Sequence, residues 1–150
     1  MTNVKEVPPE ILLKKVAEKL KEDKRIEVPE WVHYLKAGVH KENSWDTEDW
    51  YHVRLASTLR KLSIKGPIGI SKLSADYGGR VDMGSRSYHP RKGSRFIVRT
   101  MFQTLENLGY AKKDAKGRSI SPQGVSLLDK ATKEVLKELS EKSEFYKKLI

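Results

Sequence analysis

Residues 94–124 read SRFIVRTMFQTLENLGYAKKDAKGRSISPQG, and the order of signals in this stretch decides the fold. Ser94 is a helix cap. Val98, Met101, Phe102, Leu105 and Leu108 recur at helical spacing, which predicts a helix over about 95–108 closed by Gly109. YAKKDAKGRSISP then reads as two short strands around a DAKG turn, a small β-hairpin. Ser121 followed by Pro122 starts another helix, running to about residue 140 with Val125, Leu128, Thr132, Val135 and Leu139 on one face. Helix, hairpin, helix is the second half of a winged-helix arrangement.

Working upstream, 79–94 (GRVDMGSRSYHPRKGS) is rich in Gly, Ser and Arg and has no hydrophobic periodicity. It reads as a surface loop, disordered in the free protein and ordering on a partner. GIGISKLSADYGG before it predicts a helix of about two turns ended by Gly78-Gly79. A strong helix is expected from about Thr47 to Ile64, capped by Asp46 or Thr47, with Glu48 and Asp49 favouring its first turn and Arg60, Lys61 and Lys65 its last. Gly66 and Pro67 stop it. Residues 38–46 read as a polar loop, and IEVPEWVHYLKAG as an extended entry followed by a helical turn or two. Residues 9–23 form an amphipathic helix with Leu12, Leu13, Val16, Ala17 and Leu20 as its stripe. Apolar residues of this helix and of the C-terminal EFYKKLI are read as core packing. The expected fold is mostly α: one winged-helix-like domain over residues 1–150, with a small two-stranded β-hairpin and flanking N- and C-terminal helices.

The 150 residues include 30 Lys and Arg against 20 Asp and Glu, a net charge of +10, and no cysteine. The last fact excludes a disulfide scaffold, a thiolate zinc site and a cysteine nucleophile. No apolar run approaches the ~20 residues of a membrane span, and MTNVKEVPPE lacks a signal-peptide core, so an intracellular protein without membrane contact is expected. The charge is uneven. Residues 1–30 balance, with alternating Lys and Glu of the kind that solvates helices, whereas residues 54–118 carry 15 Lys and Arg against four acids. Cations without acidic partners, confined to one stretch, point to a polyanion, and nucleic acid is the expected one.

Catalysis finds little support. Asp76, Asp82, Glu106 and Asp114 share no metal-ligand or acid/base spacing. His33, His40, His52 and His89 show no HExxH or HxH pattern, and Gly66–Ser71 lacks the Gly-Lys-Ser/Thr ending of a phosphate loop. No cofactor or metal is called for.

Binding residues are easier to name. Trp50, Arg54, Ser57, Thr58 and Lys61 fall on one helical stripe, opposite Val53, Leu55, Ala56, Leu59 and Leu62. Trp50 serves either as core or as a stacking surface. Arg54 and Arg60 should reach solvent or a phosphate, because an unpaired buried guanidinium is costly. Arg91, Lys92, Arg95 and Arg99 can cluster at a helix start, where forked cations and amide groups suit phosphate oxygens. Arg80, Arg86, Tyr88 and His89 supply planar groups for an unpaired base. Lys112, Lys113, Lys116 and Arg118 make a basic wing tip.

PEWV at 29–32, WYHVRLAST at 50–58, YGGR at 77–80, SRFIVR at 94–99 and SPQG at 121–124 together resemble the ribosomal protein S19e family of the archaeal and eukaryotic small subunit. The resemblance spans essentially the whole chain, and the high Lys content and compact length look archaeal. It implies a helical, winged-helix-like protein in the cytoplasm, resident in the head of the small subunit. Its partners would be small-subunit ribosomal RNA and neighbouring ribosomal proteins, and the free chain would be a monomer. In eukaryotes the family also supports subunit assembly, including maturation of the 3′ end of the small-subunit RNA. The positions of family importance carried over by motif are Trp50, Arg54, Arg60 and Arg99. The competing readings are a winged-helix DNA-binding regulator, reading the major groove with Arg95, Arg99 and Gln103, and an assembly factor that leaves the finished subunit.

Overall fold

The computed structural model describes residues 4–143 and Tyr146. The chain runs α1 (Pro9–Glu22), a 3₁₀ turn (Glu30–His33), α2 (Trp50–Lys65), α3 (Ile70–Asp76), β1 (Gly79–Met83), β2 (Arg86–Arg91), α4 (Arg95–Asn107), β3 (Ala111–Asp114), β4 (Gly117–Ile120) and α5 (Pro122–Lys142). The mostly α class holds, with two separate antiparallel hairpins, β1–β2 and β3–β4, in place of the one expected.

Helix α2 is the hub, packing against α1, α4, α5 and β4. Leu55, Ala56, Leu59 and Leu62 are wholly buried there, and each leucine so enclosed contributes about 1.5–3 kcal/mol relative to exposure. They meet Leu12, Val16 and Leu20 of α1, Met101, Phe102 and Leu105 of α4, and Leu128, Ala131 and Val135 of α5 in one core cluster. Val53, expected on this apolar face, is instead 37% exposed. Of EFYKKLI only Tyr146 lies within the described residues, and it packs on the core.

Helix α2 begins at Trp50, later than its acidic run suggests. Asp49 gives no capping hydrogen bond; its carboxylate accepts from Lys21 Nζ at 2.8 Å. The other caps match the sequence. Ser94 Oγ accepts from the Ile97 amide and Ser121 Oγ from the Gly124 amide. Gly66, with φ of 70°, ends α2 in a conformation that disfavours a side chain.

Residues 79–94 correct the expectation of a disordered loop. They form the β1–β2 hairpin, with Gly79 opposite Arg91, Arg80 opposite Pro90 and Val81 opposite His89, and a register shift before Met83–Arg86. Gly84 and Ser85 make the two-residue turn, and the positive φ of Gly84 is what a II′-type hairpin turn requires of its first central residue. Both strands are almost entirely exposed, so no apolar alternation marks them. An isolated two-stranded ribbon is marginal, and this one is held at its base. Ser74 Oγ donates to the Gly93 carbonyl at 2.7 Å, the Gly93 amide donates to the Ser74 carbonyl at 2.9 Å, and the Ser94 amide donates to the Ala37 carbonyl.

The second hairpin is tied to the chain just after α2. The Ile68 amide donates to the Arg118 carbonyl at 2.9 Å and the Arg118 amide returns the bond at 3.0 Å.

Candidate nucleic-acid interface

Of the 15 Lys and Arg in residues 54–118, only Lys65 and Arg118 form ion pairs among the described residues, with Asp76 and Glu106. The remaining acids of this stretch are engaged locally. Asp82 accepts from the Gly84 amide at 2.9 Å, and Asp114 accepts the Ser119 hydroxyl. Outside this stretch the pattern reverses: Lys15 to Glu138 and Lys19 to Glu134 tie α1 to α5. The sequence imbalance is therefore a real excess of unpaired cations on the folded surface.

These cations fall into three groups. The first surrounds a cleft of about 760 Å³ between residues 37–45, the Arg54 side chain, the end of α3 and the β1–β2 hairpin. Arg54 is half-buried: its guanidinium lies 3.9 Å from the Tyr77 ring centroid and 5.0 Å from that of Trp45. Burial pushes the guanidinium below its ordinary pKa, while the Tyr77 hydroxyl opposes the shift. Lys61, two turns along the same face, has its ammonium 3.9 Å from the centroid of the same Tyr77 ring, and burial lowers its pKa too, against the pull of Asp76. The Tyr77 hydroxyl donates to Ser57 Oγ at 2.8 Å, which fixes the ring. Arg80 lies 5.8 Å from the ring of Tyr88 on the rim.

Trp50 takes the core role of its two open alternatives. It is 4% exposed, its indole nitrogen donates to the Val32 carbonyl at 3.1 Å, and Trp45 stacks on it at 4.3 Å and 4°. A base reaches Trp50 only by displacing Trp45. Arg54, expected to reach solvent or a phosphate, lines the cleft with aromatic faces replacing much of its water. Arg60 points away from Arg54, because six residues turn a helix by about 240° beyond a full turn; its Nε is enclosed without a hydrogen bond.

The second group is Arg86, Arg91, Lys92, Arg95 and Arg99, all exposed on β2, its exit and α4. Arg95 and Arg99 are one turn apart on α4. Lys92 Nζ donates to Ser71 Oγ at 2.7 Å, which draws the hairpin exit toward α3. The third group is the wing, where Lys112 and Lys113 are exposed on β3. Arg118, expected at the wing tip, instead lies in β4, its Nε donating to Glu106 Oε1 at 3.0 Å and its guanidinium 5.5 Å from the Phe102 ring. It fastens the wing to α4.

Of the cleft, sequence reasoning named Arg54, Arg80 and Tyr88 as binding residues and passed over His40, Lys41, Trp45 and Tyr77 among others. Trp45 carried a usable signal, being a large aromatic alone in a polar loop. Among the described residues no three His, Asp or Glu side chains gather as metal ligands, and no helix is long and apolar enough to cross a membrane.

A helical scaffold with two exposed hairpins and this many uncompensated cations defines a basic binding protein. A family model described as ribosomal protein S19e matches residues 3–138. The chain is similar to the small ribosomal subunit protein eS19 of Thermoplasma acidophilum, at 50% identity over the whole of both chains. It is 43% identical to that of Aeropyrum pernix over 93% of each chain. It is 36% identical to eS19A of Schizosaccharomyces pombe over 93% of this chain and 97% of that one. The chain belongs to the ribosomal protein S19e family, a family of structural ribosomal proteins and not of enzymes, and the Thermoplasma acidophilum relative matches it end to end.

Proposed function

We propose that this chain is a resident RNA-binding protein of the small ribosomal subunit, working in the cytoplasm as one domain that clamps ribosomal RNA of the subunit head beside neighbouring ribosomal proteins. One observation carries the reading: the unpaired cations spread over the cleft, the β1–β2 hairpin, α4 and β3 instead of concentrating on one helix. A recognition helix reading a major groove needs its cations in one place, whereas folded RNA is gripped through its shape and phosphates from several directions. The names of the relatives support the same subunit. By holding RNA segments together the protein would also favour subunit maturation.

The test is sedimentation of a lysate through sucrose gradients, with an antibody to this chain. Co-migration with mature small subunits and translating ribosomes through moderate salt is the expected result. Confinement to immature particles would mark an assembly factor, and confinement to the top of the gradient a regulator.

A further inference from the structure

Resting on that reading, we propose that the cleft between residues 37–45 and the β1–β2 hairpin receives a single unstacked nucleotide of the bound RNA. Its size fits: about 760 Å³ falls within the roughly 300–1,000 Å³ of sites that enclose one small-molecule-sized group, and it is far too small for a duplex. Its lining fits as well. Tyr88 is 58% exposed at the rim, with the Arg80 guanidinium beside it, Arg54 reaches the interior without an ion pair, and the one carboxylate of the lining, Asp76, is held by Lys65. An exposed aromatic ring next to a cation reaches a base only when that base has left its helix. The uncompensated Arg54 would then meet the phosphate or a base carbonyl.

The walls hold two further groups with unmet hydrogen-bonding capacity, His40 Nδ1 and Trp45 Nε1. Each is enclosed, so a polar guest satisfies it through a small shift of the 37–45 segment. Enclosed polar atoms left unpaired are destabilising, which favours that shift once a guest is present.

The test uses the full chain and in-vitro-transcribed small-subunit ribosomal RNA, with binding measured across a salt series. Ala37→Leu fills the cleft and leaves every cation in place; Tyr88→Ala removes the exposed ring from a hairpin that contributes nothing to the core. Loss of one stacked base weakens binding by roughly 5- to 150-fold, so both variants should lose affinity in that range with the salt slope unchanged, because no phosphate contact is removed. Ultraviolet cross-linking of the wild-type complex should leave a nucleotide adduct on a peptide containing Tyr88, Trp45 or Tyr77, absent in Ala37→Leu. If wild type binds the RNA and both variants, folded by circular dichroism, bind it equally well, the cleft stays outside the interface and the proposal is overturned. If Tyr88→Ala alone keeps full affinity while Ala37→Leu has a lowered melting temperature, the proposal is likewise overturned. Failure of the wild type to bind the RNA at all overturns the ribosomal reading itself. Titration with ribonucleoside monophosphates separates the remaining source: binding abolished by Ala37→Leu, with RNA affinity untouched, would assign the cleft to a free nucleotide and overturn the proposal.

Discussion

The guanidinium carbon of Arg54 lies 3.9 Å from the centroid of the Tyr77 ring. Lys61 Nζ lies at the same distance from that ring, so two cations two turns apart on one face of α2 share a single aromatic residue. Ordinarily their repulsion would drive such side chains into water. Here the ring quadrupole offsets part of it, and the charge of Arg54 is carried to the edge of a cleft.

Arg54 therefore has two jobs, and Arg99 one. Arg54→Ala should weaken RNA binding and also cost about 1–2 kcal/mol of stability through lost ring contacts and stem packing. For a chain of this length that lowers the melting temperature by roughly 2–8 °C. Arg99→Ala, on the exposed face of α4, should weaken binding with no change in melting. Calorimetry and filter binding on both variants check the contrast; equal melting losses would mean the Tyr77 contact is energetically idle.

Trp50→Ala should cost about 3–5 kcal/mol, the usual figure for deleting a buried aromatic. The loss includes the stack with Trp45 and the hydrogen bond to Val32. Urea unfolding reads it directly. A Trp50→Ala protein of full stability would contradict the packing role.

Binding should fall with salt in proportion to the phosphates engaged, each worth about 0.7–0.9 in the slope of log affinity against log salt. Replacing exposed Lys112 or Lys113 by Ala should reduce that slope by about one contact. Arg118→Ala should act differently. Losing its bond to Glu106 loosens the wing, so a lowered melting temperature is expected along with any loss of binding.

Burial lowers the pKa of His40 and His52 from the ordinary histidine value. A lowered folded-state pKa means the unfolded chain binds more protons between that value and the model-peptide value near 6.5. Stability should thus be fully present above about pH 6.5 and decline as the pH falls below it, by at most ~1.4 kcal/mol per pH unit per histidine. Urea midpoints at neutral and mildly acid pH test this, and His52→Leu should flatten the dependence. An unchanged slope in that variant would assign the effect to other groups.

Ser74→Ala removes the buried hydroxyl that donates to Gly93 and should cost about 1–2 kcal/mol, because the Gly93 carbonyl is left without its partner. Amide exchange should accelerate mainly across residues 79–91, since the bond anchors that hairpin.

The long helices were legible through their periodic apolar faces, to which α4 and α5 add a capping serine, as Ser94 does ahead of Val98, Met101, Phe102 and Leu105. The β3–β4 hairpin announced itself through its turn and flanking residues. The β1–β2 hairpin did not, for a physical reason: a ribbon with neither face buried has no alternation to read. Its one usable mark was Gly84-Ser85 between two runs of extended residues. The exposed cations of the site were legible from charge alone. Their surroundings were not, because the enclosure of Arg54 by Trp45 and Tyr77 joins residues 45, 54 and 77, a meeting that only the tertiary fold brings about.

An exposed two-stranded ribbon offers unpaired backbone groups along its edges, an invitation to a second ribbon. Pro90 withdraws one donor from β2, and the register shift before Met83 bends the ladder of β1 out of line. Arg80, Arg86 and Arg91 line the same strands, so two such hairpins brought together would set like charges against each other. The side chains proposed to suit this ribbon to RNA would thus also guard it against its own copies for as long as no partner covers it.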